Sequence, residues 1–193
     1  MIATKTLFLI PGFYQKATDH CYRWLTKYLK SKGYDVIAVP VHWKNRTMTD
    51  YVRDFEKFFL QRMGTKNYFL GFSYGAVIAF MTTSRLGPEK VYLCSLSPDF
   101  KEDASSIKSY ELKLIGKKRF ADVKTRSAKK IAKELKIPSV LFYGEVEGKK
   151  YPQLKKRVEE TVKLSSRTKL VIVKDAPHKI DHPEYIKAIK REI

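Results

Sequence analysis

The chain has 193 residues, 44% of them hydrophobic, which suffices for one well-buried α/β domain and excludes a disordered chain or two comfortable domains. Its 39 Lys and Arg against 20 Asp and Glu give a formal charge of +19, a field that draws anionic substrates, acidic lipid surfaces or nucleic acid, although lysines spread over solvent faces produce the same sum. Two cysteines far apart in sequence and in no metal-like spacing read most simply as those of a reduced, intracellular chain, and the absence of any apolar run of membrane-spanning or signal-peptide length leads to the expectation of a soluble, cytoplasmic protein.

Taken in order, residues 6–10 read as a buried strand ended by Pro11-Gly12-Phe13-Tyr14. From Thr18, Cys21, Trp24, Leu25, Tyr28 and Leu29 recur at helical spacing, and Gly33 stops the segment. Residues 36–41 form the next strand. His42 and Trp43 follow it, and His20 and His42 read as structural rather than functional. Val52, Phe55, Phe59 and Met63 mark a second amphipathic helix capped by Thr47 or Thr49.

Residues 68–70 are a short apolar strand, 76–86 an apolar helix, and between them lies Gly71-Phe72-Ser73-Tyr74-Gly75. A G-x-S-x-G run between strand and helix places the serine on a strained turn, with room only for glycine two residues before and after it. The amides at the start of the following helix favour the negative charge that develops in acyl transfer.

A strand over 90–96 leads to Ser97-Pro98-Asp99-Phe100 and then to a basic, irregular stretch, 101–136, that reads as a small lid or as connecting helices. Ile107, Tyr110, Leu114 and Ile115 have helical spacing there, as do Ile131 and Leu135. The strand 139–143 runs into Gly144-Glu145-Val146-Glu147-Gly148. A helix carrying Leu154, Val158 and Val162, the strand 169–173, the loop Asp175-Ala176-Pro177-His178 and a last helix with Tyr185, Ile186 and Ile189 complete the chain. Asp181 and Glu184 are spaced as a cap and its partner, with Pro183 at the helix start.

Strand and helix alternate throughout. This predicts one three-layer α/β/α sandwich over 1–193, with a mostly parallel sheet of about six strands whose active groups gather at the strands' carboxyl ends. A serine nucleophile needs a base, and the base needs a carboxylate to orient it. His178 follows the last strand and Glu145 and Glu147 the one before it, so all three reach the end of the sheet that holds Ser73. Asp99, after the preceding strand, competes as the acid, and His182 is an alternative base. A metal set of His178, Asp181 and His182 is set aside, because Asp181 reads as a cap and His178 as a loop residue.

With this order of serine, acid and histidine, the chain resembles a compact α/β hydrolase without a large cap, comparable in size to hydrolases like retinoblastoma-binding protein 9. The resemblance runs from the P-G-F loop at Pro11 through G-F-S-Y-G and Y-G-E-V-E to A-P-H near the end. It implies the α/β-hydrolase fold lacking its first two strands, Ser73 as nucleophile, His178 as base and then acid, and the amides of Phe13 and Tyr74 as oxyanion hole. The usual acid position falls on Glu147, where aspartate is commoner, and Pro177 stands in place of the usual glycine before the histidine. The implied activity is cofactor-free hydrolysis of a small carboxylic ester or thioester, anionic if the basic surface selects it. Tyr14, Trp43, Phe72 and Phe100 are expected to line an apolar acyl pocket. The rival reading is a catalytically silent hydrolase fold that binds nucleic acid or acidic membrane through charge alone.

Overall fold

The computed structural model describes residues 5–107 and 109–193. Six strands, β1 (Lys5–Ile10), β2 (Tyr34–Ala38), β3 (Lys66–Phe72), β4 (Lys90–Cys94), β5 (Ser139–Gly144) and β6 (Thr168–Val173), pair in the order β2-β1-β3-β4-β5-β6. Every neighbouring pair is parallel, as the alternation of strand and helix predicts. Parallel strands require crossovers, and the crossovers put helices on both faces.

Side chains alternate across each strand, so the sheet divides the core in two. Phe8, Ile10, Phe69, Val91, Leu93 and Leu141 face one side. There they meet α2 (Met48–Leu60), α3 (Tyr74–Leu86), α5 (Ala128–Glu134) and α7 (Pro152–Leu164). Leu7, Leu9, Leu70, Tyr92, Cys94 and Phe142 face the other, against α1 (His20–Ser31) and α8 (Pro183–Glu192). Neither cysteine is in a disulfide. Among the described residues no helix is long and apolar enough to cross a membrane.

Several boundaries and faces differ from the sequence reading. The buried face of α1 is Tyr22, Leu25 and Leu29, whereas Cys21 and Trp24 are only partly covered, because α1 turns its polar-tipped Tyr22 toward the loop after β1. The second strand ends at Ala38, three residues short of expectation. Thr47 caps α2 in a reciprocal capping box with Asp50. At α8 the cap position is His182, with no side-chain cap. Asp181 therefore does not cap this helix as its spacing suggests; among the described residues its Oδ1 has no hydrogen-bond partner and meets only Lys179 Nζ, at 3.9 Å. Residues 145–150, to which the sequence assigns no element, form a short helix, α6 (Glu145–Lys150).

Within 101–136 lie a 3-10 helix (Lys101–Ser106), α4 (Ser109–Val123) with a break at Gly116, and α5. The side chains of Tyr110 and Leu114 lie outside the described residues. The 3-10 helix is anchored by Arg157, whose Nε and Nη2 donate to Asp103 Oδ2 and Oδ1 at 3.1 and 2.6 Å, while Nη1 donates to Glu160 Oε2 at 2.9 Å. Arg157 and Asp103 are 1% and 5% exposed, and a buried pair broken on one side leaves a charge with no solvent. Arg157→Leu is expected to lose about 3–5 kcal/mol of stability in urea unfolding. Replacing Asp103 with Asn in that background is expected to restore part of the loss.

Candidate active site

The turn after β3 is set by close backbone contacts. A Cβ at Gly71 would stand 2.3 Å from the Gly75 carbonyl oxygen, and one at Gly75 would stand 2.2 Å from the Ile10 carbonyl oxygen. Both glycines are thus required by β3, α3 and the end of β1 meeting at one point. Ser73 sits between them at φ 56° and ψ −116°, a conformation that costs on the order of 1–3 kcal/mol outside glycine. Its N–H donates to the Cys94 carbonyl at 2.8 Å, so the ladder to β4 holds the strained residue in place.

The structure brings Ser73, His178 and Glu147 together. Ser73 Oγ lies 3.1 Å from His178 Nε2, and His178 Nδ1 contacts Glu147 Oε1. A carboxylate only accepts hydrogen bonds, so Nδ1 carries the imidazole proton and Nε2 is left to accept from the Ser73 hydroxyl. The His178 ring packs on Phe72 at 4.9 Å, with the edge of Tyr151 at 6.4 Å.

Glu147 is 1% exposed. Its Oε2 accepts from Gly144 N–H and Ser95 Oγ, both at 2.9 Å. A Cβ at Gly144 would lie 2.1 Å from the Ala176 carbonyl oxygen, and Glu147 N–H donates to that same carbonyl at 3.3 Å. The acid-bearing turn and the histidine-bearing loop therefore cross in direct backbone contact.

The other two candidate acids are engaged elsewhere. Asp99 pairs with Arg126, whose Nε also donates to the Asp99 carbonyl at 2.6 Å. Burial pushes the Asp99 carboxyl up to about 6 against the pull of that guanidinium. Glu145 is partly exposed, pairs with Lys149 at 3.0 Å and accepts from Asp175 N–H at 3.4 Å. These contacts, Lys149 foremost, lower its pKa. His182 heads α8 and its Nδ1 has no partner among the described residues.

Opposite the histidine, Gly12 to Gln15 form a tight turn closed by Gln15 N–H to the Gly12 carbonyl at 3.0 Å, with Tyr14 at φ 57°. Tyr22 fastens it, since Gly12 N–H donates to the Tyr22 hydroxyl at 2.8 Å and that hydroxyl donates to Gln15 Oε1 at 2.5 Å. Trp43 Nε1–H donates to the Gln15 carbonyl at 2.9 Å. Among the described residues the Phe13 and Tyr74 amides donate to no backbone acceptor. The Phe13 ring stacks on Tyr74 at 4.9 Å and meets Trp43 at 5.4 Å, and the Arg119 guanidinium lies 5.0 Å over it.

Of the four aromatics expected to line a pocket, Tyr14 and Trp43 join this wall and Phe72 backs the histidine. Phe100 does not belong here: it is fully buried against Phe80 and under Arg157. The sequence reading missed Ser97, whose Oγ is 3.2 Å from Ser73 Oγ, as well as Ser95 and Tyr22. Lone serines after a strand and a tyrosine in an amphipathic helix carry no local signal of such roles.

No protein-family model matches the sequence, and no curated protein is similar to it in sequence. Solved structures are similar in fold. Est1E from Butyrivibrio proteoclasticus superposes with a TM-score of 0.82 at 14% identity, covering 98% of this chain and 87% of that one. Alpha/beta hydrolase domain-containing protein 10 from mouse gives 0.73 at 11% identity, covering 97% and 87%. A Pyrococcus furiosus esterase gives 0.68 at 16% identity, covering 98% and 78%. The fold is that of the α/β hydrolases.

Gly144→Ala tests the crossing of the two loops. A methyl group 2.1 Å from a backbone oxygen forces the loops apart, and the variant is expected to lose about 1–3 kcal/mol in thermal unfolding. An unchanged melting temperature would show that the loops separate without cost.

Proposed function

We propose that this chain of α/β-hydrolase fold is a serine hydrolase that cleaves a carboxylic ester, or a thioester, through an acyl-enzyme. The observation that carries the reading is the unbroken chain from the Ser73 hydroxyl through His178 to the buried Glu147 carboxylate. Ser73 Oγ attacks the acyl carbon while His178 Nε2 takes its proton. Charge then gathers on the former carbonyl oxygen, where the Phe13 and Tyr74 amides stabilise it. Collapse of the tetrahedral species expels the alcohol or thiol, which leaves with the proton from His178. A water molecule, deprotonated by the same nitrogen, attacks the acyl-enzyme, and the carboxylic acid departs as Ser73 regains its proton.

Glu147 stabilises the imidazolium formed in both halves of this cycle and holds the tautomer that leaves Nε2 free. The wall of Phe13, Tyr14, Trp43 and Tyr74 supports an apolar acyl or alcohol group beside the nucleophile. None of these steps calls on a cofactor.

Labelling with a fluorophosphonate probe tests the reading, because the probe reacts with an activated serine whatever the natural substrate. Wild type is expected to label, and Ser73→Ala and His178→Ala to abolish it. A folded wild-type protein that stays unlabelled would overturn the reading. In hydrolysis of p-nitrophenyl acetate, Glu147→Gln is expected to lower kcat by about 10³–10⁴-fold, while Glu145→Gln stays near wild type. Equal losses in the two variants would remove Glu147 from the acid role.

A further inference from the structure

Glu147 is an anion nearly cut off from water, so its oxygens must be met from within the protein. Oε1 faces His178, and Oε2 accepts from Gly144 N–H and Ser95 Oγ. Ser95 has one hydroxyl proton, and this contact uses it. Ser95 Oγ also lies 2.8 Å from the Tyr185 hydroxyl, so in that second contact Tyr185 is the donor. Tyr185 is fully buried. Burial pushes its phenol far above the ordinary range, which keeps the donated proton in place.

We propose that Tyr185 and Ser95 are positioning residues for the acid: a one-way relay, from Tyr185 O–H to Ser95 Oγ and from Ser95 O–H to Glu147 Oε2, turns Oε1 toward His178 Nδ1. The role assigned to them rests on the serine-hydrolase reading of the site. A glutamate has one more side-chain torsion than an aspartate, and holding Oε2 removes the freedom which that torsion adds. Ser95 stands at φ 55°, with its N–H donating to the Phe142 carbonyl at 2.8 Å. The positive-φ serine just after β4, held to β5 by that bond, is the backbone from which the hydroxyl reaches Glu147. The relay makes the last helix, α8, part of the acid's support, although Tyr185 is seven residues beyond His178 and touches neither Ser73 nor the imidazole.

The test compares Tyr185→Phe, Ser95→Ala and the double variant in the full chain. With p-nitrophenyl acetate, each single change is expected to lower kcat about 3- to 10-fold, the kinetic equivalent of one hydrogen bond, with KM unchanged. The double variant is expected to be no slower than Ser95→Ala, because Tyr185 acts through Ser95. A low-field proton resonance of His178 Nδ1–H, identified by its loss in His178→Ala, is expected to shift in both single variants. An unaltered kcat in folded Tyr185→Phe, fully multiplicative losses in the double variant, or an unmoved resonance would each overturn the relay. Were wild type to hydrolyse no ester, the function proposed above would fail, and the resonance would still decide whether Tyr185 and Ser95 hold Glu147.

Discussion

The site depends on one buried charge. Glu147 has almost no contact with solvent, and an unpaired carboxylate in that position would ionise only at a large cost. It is tolerated because partners from four parts of the chain converge on it: His178 from the loop after β6, Gly144 N–H from the end of β5, Ser95 from the end of β4 and, through Ser95, Tyr185 from α8. Those contacts close only when β4, β5 and β6 lie side by side with their carboxyl ends level. Packing of the sheet and assembly of the site are therefore the same event.

Strain gathers at the same edge. Tyr14, Asn45, Ser73, Ser95 and Asp175, all non-glycine residues at positive φ, follow β1, β2, β3, β4 and β6 respectively. A parallel sheet ends in carbonyls and amides that must turn sharply into loops, and each such turn costs energy that the rest of the fold must offset. At Ser73 and Ser95 the turn is held by one further ladder bond to the neighbouring strand. At Tyr14 it is held by the Gly12 to Gln15 turn and by Tyr22 and Trp43. Ser73 and the loop after β1 are thus fixed by neighbours outside their own motifs, which suits the proposed catalysis, since groups already in place require no reorganisation when charge develops.

The basic stretch 101–136 is tied down at several points. Arg126 binds the Asp99 side chain and carbonyl, Arg119 donates to the carbonyls of Trp43 and Arg46, and Arg157 grips Asp103. Each ion pair cancels one charge of either sign and leaves the net charge of +19 unchanged, so exposed cations, Arg53, Arg85 and Arg191 among them as well as lysines, carry the surplus.

The sequence by itself determined the class of fold, the glycine-bracketed turn that carries Ser73 and the order of Ser73, Glu147 and His178 along the chain. These are properties of local spacing: short apolar runs for the strands, helical periodicity between them and glycines at fixed offsets from a serine. Tertiary structure decided the rest. Glu145 and Glu147 are equivalent in spacing, but residues 145–150 form a helix, and two positions along a helix point about 200° apart, so one carboxylate faces His178 and the other faces solvent and Lys149. Asp99 is withdrawn by Arg126, 27 residues away in the chain, and the cap expected at Asp181 is lost because α8 begins one residue later. Ser95, Ser97 and Tyr185 matter through partners far off in sequence, and Tyr22 through a loop outside its own helix. Periodicity records which side of an element is buried, whereas the partner a buried hydroxyl finds depends on which other strand or helix the fold lays against it.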